Sequence, residues 1–174
     1  MSVVAAKIYE DKIVIAADSI CVRGWSKMNS AEKKHTKLFR YQDLVIGGVG
    51  KSEEISLFQR YMKSHMIKEM TEDCILDYII EFKKWKKDLC GNDEIENQYI
   101  IASKGKCFST NGYFVFGVND YYAIGAGDDF ARGAMYMGAS PEEAVKAACD
   151  LCVYVSEPIL KETILIDNAK TEMN

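Results

Sequence analysis

The chain has 174 residues, 48% of them hydrophobic and 28% charged, with a formal net charge of −4. That is enough for one domain with a sizeable core, read as a single unit over residues 1–174, and it excludes wholesale disorder and a broadly basic nucleic-acid surface. No apolar run approaches the roughly 18 residues of a membrane span. The N-terminus has no basic region before its apolar part, so no signal peptide is read and a cytoplasmic location is expected.

Val3 to Ile8 and Lys12 to Ala17 are two apolar runs around a polar turn, the pattern of a β-hairpin. Their continuous apolar character predicts strands buried on both faces. Residues 19–35 read as a long loop or weak extended segments. Thr36 to Arg40 and Asp43 to Val49 are predicted strands, the second ending in Gly47-Gly48-Val49-Gly50. Ile55, Leu57, Phe58, Tyr61, Met62 and Met66 recur at helical spacing and predict a helix over 52–68. Thr71 is placed to cap a second helix, whose basic run Lys83, Lys84, Lys86 and Lys87 is expected to be a solvated face suited to the negative helix pole.

Four short strands are predicted from Tyr99 to Ile124, separated by turn signals at Lys104-Gly105, Asn111-Gly112 and Asn119-Asp120. Gly125-Ala126-Gly127 leads into a helix opened by Asp128 and Asp129. Ser140-Pro141-Glu142-Glu143 starts another with the elements of a capping box, and that helix is predicted to run to about Val155. Lys161 to Asp167 is a final candidate strand. Strands, two helices, strands and two helices can stack as helix layer, sheet, sheet and helix layer, an α+β fold, although pattern alone permits other α+β arrangements.

Six cysteines occur, at positions 21, 74, 90, 107, 149 and 152. Without an export signal they are read as reduced thiols. Cys149 and Cys152 have CxxC spacing but no second pair, so they are taken as packing residues rather than a zinc or redox motif. Gly50-Lys51-Ser52 lacks the earlier glycine of a phosphate-binding loop.

Three residues attract attention as a set. Ser2 becomes the N-terminus if Met1 is removed. Asp18 ends an apolar strand, where a carboxylate needs a partner or solvent. Lys34 lies in a basic run. Each alone reads as ordinary: a common second residue, a turn and a solvated charge.

Together with their surroundings they resemble a family. Ser2 to Ala6, Lys12 to Ser19, Lys33-Lys34 and Lys37-Leu38-Phe39 look like the opening of proteasome β-type subunits, which are N-terminal-nucleophile hydrolases. Tyr121 to Gly127 and Ser140 to Val145 are similar to their second half. The resemblance covers Ser2 to about Ile166, and the short length is most like the bacterial HslV branch. It implies a four-layer αββα sandwich. It also implies a catalytic set with sixteen-residue intervals, kept here by Ser2, Asp18 and Lys34, and an oxyanion-binding backbone position at Gly48.

The implied chemistry is peptide hydrolysis through an acyl-enzyme on Ser2. The free α-amine acts as base, Lys34 as a neighbouring cation and Asp18 as its counter-charge. The resemblance further implies stacked, six-membered rings, an HslU-like ATPase partner and unfolded polypeptide as substrate. ATP enters through that partner only, no cofactor binds this chain, and a structural cation is implied without an evident ligand set. Three departures stand out: serine in place of the commoner threonine, Ala126 where the family often has serine, and no aspartate in Tyr154 to Glu157. With the need to remove Met1, they keep two alternatives open: an inactive ring scaffold and a small-molecule amidase.

Overall fold

The computed structural model describes residues 2–28 and 36–166. The first hairpin forms as predicted: β1 (Val3–Ile8) and β2 (Lys12–Ala17) pair antiparallel with Val4 opposite Ala17. A small ribbon, β3 (Val22–Arg23) and β4 (Ser26–Lys27), follows. Next come β5 (Leu38–Tyr41), β6 (Leu44–Val49), α1 (Ser52–Met62) and α2 (Glu72–Cys90). The meander β7 (Gln98–Ser103), β8 (Lys106–Asn111) and β9 (Phe114–Gly117) leads to β10 (Tyr121–Gly125). The chain closes with α3 (Asp128–Tyr136), α4 (Pro141–Leu151) and β11 (Leu160–Leu165).

The strands form a four-stranded sheet, β10-β1-β2-β11, and a five-stranded meander, β5 to β9, all pairs antiparallel. Side-chain alternation along each strand then dictates the layers. Val4, Ala6, Ile13 and Ile15 point inward and meet Val45, Val49, Ile100 and Ala102 of the second sheet. Val3, Ala5 and Ala16 point the other way, onto Ala131, Met135, Ala144 and Ala148 of α3 and α4. On the far side, Ile46, Tyr99 and Ile101 pack against Phe58, Tyr61, Ile79 and Phe82 of α1 and α2. The result is the expected αββα stack. Val3 and Val4 are fully buried on opposite faces of one strand, each contributing about 1.5–3 kcal/mol of apolar burial. Among the described residues no helix is long and apolar enough to cross a membrane.

Three expectations need correction. Helix α1 stops at Met62 rather than Lys68, because the Ser64 and His65 amides both donate to the Tyr61 carbonyl and the Ser64 hydroxyl joins them. Helix α4 stops at Leu151. Cys152 is extended, which lets both Cys152 and Val155 turn back into the helix–sheet core. Lys86 is not on a solvated face: it is 2% exposed and paired with Glu54. The predicted caps hold. Thr71 accepts from the Cys74 amide, and Ser140 and Glu143 form a reciprocal capping box. All six cysteines are free thiols, as read.

Candidate active site

Burial of β1 on both faces, between β10 and β2, carries the start of the chain into the centre of a sheet. Ser2 is 2% exposed. Its carbonyl accepts the Gly127 amide at 3.2 Å. Gly125, paired with Val3 across the ladder, has φ +99°, and a Cβ there would stand 2.5 Å from the Ser2 carbonyl oxygen and 3.2 Å from Val49 Cγ1. Glycine is therefore required where β10 passes Ser2. The same contact puts the end of β6 beside the start of β1. Ala126 lies between these glycines, and its carbonyl accepts from Cys152 Sγ.

Asp18 follows the last residue of β2 and is completely buried. Its Oδ1 accepts the Val3 amide at 2.8 Å, and its Oδ2 accepts the Ile20 amide at 3.0 Å. Lys37 Nζ donates to Oδ2 at 2.7 Å, closing an ion pair whose lysine side chain is 12% exposed. Lys37 immediately precedes β5 of the second sheet, so this pair ties the two sheets together at the head of β1. The Ser19 amide donates to the Ser156 carbonyl, bringing the segment after α4 against the same turn.

Lys34, chosen by the sixteen-residue interval, lies outside the described residues. Lys37 was not singled out as the cation by that interval, since it stands nineteen positions from Asp18. The available signal was its neighbours: Lys37 immediately precedes the apolar strand residues Leu38 and Phe39.

Gly48 does not present a spare donor. Its N–H is given to the Lys37 carbonyl at 2.8 Å, continuing the β5–β6 ladder. Alternate amides of a strand face the same side. Gly50, two residues on, lies just beyond the end of β6. Gly50 has φ +129°, and a Cβ there would overlap Asn97 Oδ1, at 2.0 Å. Gly48, expected at the oxyanion-binding position, thus has its N–H engaged in the sheet. A metal site is not in view: among the described residues no group of three His, Cys, Asp or Glu side chains is placed to hold an ion.

The αββα architecture is shared with solved structures of BPH and HslV. Thiobacillus denitrificans BPH in complex with epoxomicin matches with TM-score 0.85 and 20% identity over 95% of this chain and 99% of that one. Thiobacillus denitrificans BPH itself matches with TM-score 0.85 and 21% identity over the same shares. Eukaryotic HslV from Trypanosoma brucei matches with TM-score 0.70 and 23% identity over 92% of this chain and 98% of that one. No protein-family model and no curated protein matches the sequence. The shared property is therefore the fold, at sequence identities where the chemistry must be argued from the residues.

Proposed function

We propose that this chain is an N-terminal-serine endopeptidase of the proteasome-like type. The observation that carries the reading is the Asp18 carboxylate, which holds the Val3 amide with one oxygen and the Lys37 ammonium with the other, next to Ser2 at the head of β1. Removal of Met1 gives Ser2 a free α-amine, whose ordinary pKa of about 7.7–8.0 leaves part of it neutral near pH 7.5. Ser2 Oγ adds to a peptide carbonyl carbon while its proton passes to the amine. The carbonyl electron pair moves onto oxygen and is met by the Gly50 amide. Collapse breaks the C–N bond, and the departing amine takes the proton. Water then attacks the resulting ester with the Ser2 amine again as base, releasing the acid and restoring the hydroxyl. The nearby Lys37 cation disfavours the ammonium form of the amine and favours negative charge on Oγ.

The assembly reading goes with it. Tyr136, Met137, Leu151, Val153 and Tyr154 are large and at least half exposed on and just after α3 and α4. Such an apolar layer suits burial against further copies of the chain. A self-compartmentalised ring fed with unfolded polypeptide by an ATPase of the HslU kind is the assembly proposed.

Epoxomicin, found in complex with the Thiobacillus protein, supplies the test. An epoxyketone reacts twice: a hydroxyl adds to its ketone and a free amine opens its epoxide. Intact mass of the tagless protein should show loss of one methionine and then a single adduct on Ser2, absent from Ser2→Ala. A mass that retains Met1 and takes no adduct refutes the enzyme and leaves a non-catalytic member of the fold.

A further inference from the structure

Behind the Gly50 turn lies a buried polar network that the mechanism has not used. Glu54 and Lys86 are each 2% exposed and paired at 2.7 Å. Glu54 also accepts the Tyr99 hydroxyl and the Asn97 amide, each at 3.1 Å, and Lys86 donates to the Glu94 carbonyl. Asn97 is 1% exposed. Its Oδ1 accepts the Lys51 N–H at 2.6 Å, and its Nδ2 donates to the Lys51 carbonyl at 3.0 Å. One side-chain amide therefore holds both peptide groups of Lys51, while the Val49–Gln98 ladder pair holds the chain on the other side of Gly50.

Gly50 needs such support. Its φ of +129° is open to glycine but is not a conformation a glycine prefers over others. A buried ion pair is also a weak source of net stability, since apolar residues of similar volume often serve as well. Its value here lies in direction. Lys86 fixes Glu54, Glu54 fixes the Asn97 backbone, and the Asn97 side chain fixes the turn.

We infer that Asn97 is the positioning residue for the oxyanion-facing amide of Gly50, with Glu54 and Lys86 bracing it from α1 and α2. This rests on the peptidase reading above. The competing role is purely structural, since Lys51 occupies the N-cap of α1 and has no side-chain cap of its own. The two roles separate in the transition state. A peptide aldehyde becomes tetrahedral on Ser2 and needs the Gly50 donor; the matching peptide alcohol occupies the same cleft without forming that oxyanion.

The experiment measures peptide hydrolysis, aldehyde inhibition and alcohol inhibition in the wild type, in Asn97→Ala and in the double variant Glu54→Met/Lys86→Met. The double variant removes both charges together, so neither is left buried without its partner, and its thermal midpoint is measured alongside. Removing an oxyanion donor costs about 10²–10³-fold in kcat, so misdirecting one should cost about 10-fold or more, with KM nearly unchanged. Aldehyde affinity should fall by the same factor and alcohol affinity should hold. Equal loss of both affinities, or unchanged kcat in Asn97→Ala, overturns the inference while leaving the peptidase intact. A wild type that neither hydrolyses peptide nor takes epoxomicin removes the proposed function and this inference together.

Discussion

Lys37 Nζ stands 2.7 Å from Asp18 Oδ2, and the other oxygen of the same carboxylate holds the Val3 amide. One buried group thus fixes both the direction of the first strand and the position of a cation near Ser2. Lys37→Met should abolish peptide hydrolysis, with a fall of at least ~10²-fold in kcat, and should also destabilise the fold. Leaving Asp18 buried without its counter-charge costs about 3 kcal/mol. Lys34→Met should retain most of the activity. Urea denaturation and steady-state kinetics on the two variants decide between them; the opposite ranking would restore the sixteen-residue interval.

The approach of β10 to Ser2 is equally specific. Gly125→Ala places a methyl within 2.5 Å of the Ser2 carbonyl and forces alanine to φ +99°. Strain of this kind costs of order 1–3 kcal/mol, and its relief must move either strand. Peptide hydrolysis and epoxomicin labelling should both drop sharply, while ring-sized assembly persists in native mass spectrometry. Normal labelling in that variant would mean that the head of β1 tolerates displacement.

Much of this fold is legible in the sequence. The apolar run Val3 to Ala6 predicts burial on both faces, and its alternate residues do divide between the inter-sheet core and the helix layer. The turn dipeptides gave the meander because each needs a residue that tolerates tight backbone geometry. Lys86 was misread as one charge in a basic run, although it continues the spacing of Ile75, Ile79 and Phe82 on the buried face of α2. Glu54 was passed over in the same way, four residues before Phe58 on the buried face of α1. Charge type outweighed periodicity in both readings, and the pair is visible only when the two helices are brought together. Lys37 was missed for a different reason. Fixed intervals assume loops of fixed length, whereas the path of the chain into β5 decides which side chain reaches Asp18.

Alkaline pH should weaken the fold. Burial pushes the Cys107 thiol up to about 12, and burial first, then the Glu54 charge, raises the Tyr99 phenol well above its usual range. In the unfolded chain these groups ionise near their ordinary values of about 8.5 and 10. The stability they carry is therefore complete below about pH 8 and is lost as pH rises toward 12, because the unfolded state releases its protons first. The urea midpoint should be level from pH 7 to 8 and then fall toward pH 10.5, less steeply in Cys107→Val. A flat midpoint across that range would contradict the burial of both groups.

The exposed apolar layer makes the assembly testable by charge. Tyr136 is 77% exposed and Met137 82%, adjacent at the end of α3 and clear of the core that Met135 completes. Substituting Tyr136→Glu together with Met137→Glu disturbs no buried side chain, so the monomer should keep its thermal midpoint within a few degrees. If this layer is covered by further copies of the chain, two desolvated carboxylates on each copy oppose association strongly. Light scattering should then report a monomer or a single small ring fragment in place of the closed particle proposed for the wild type. An unchanged particle mass would move the self-association surface to another face of the sandwich.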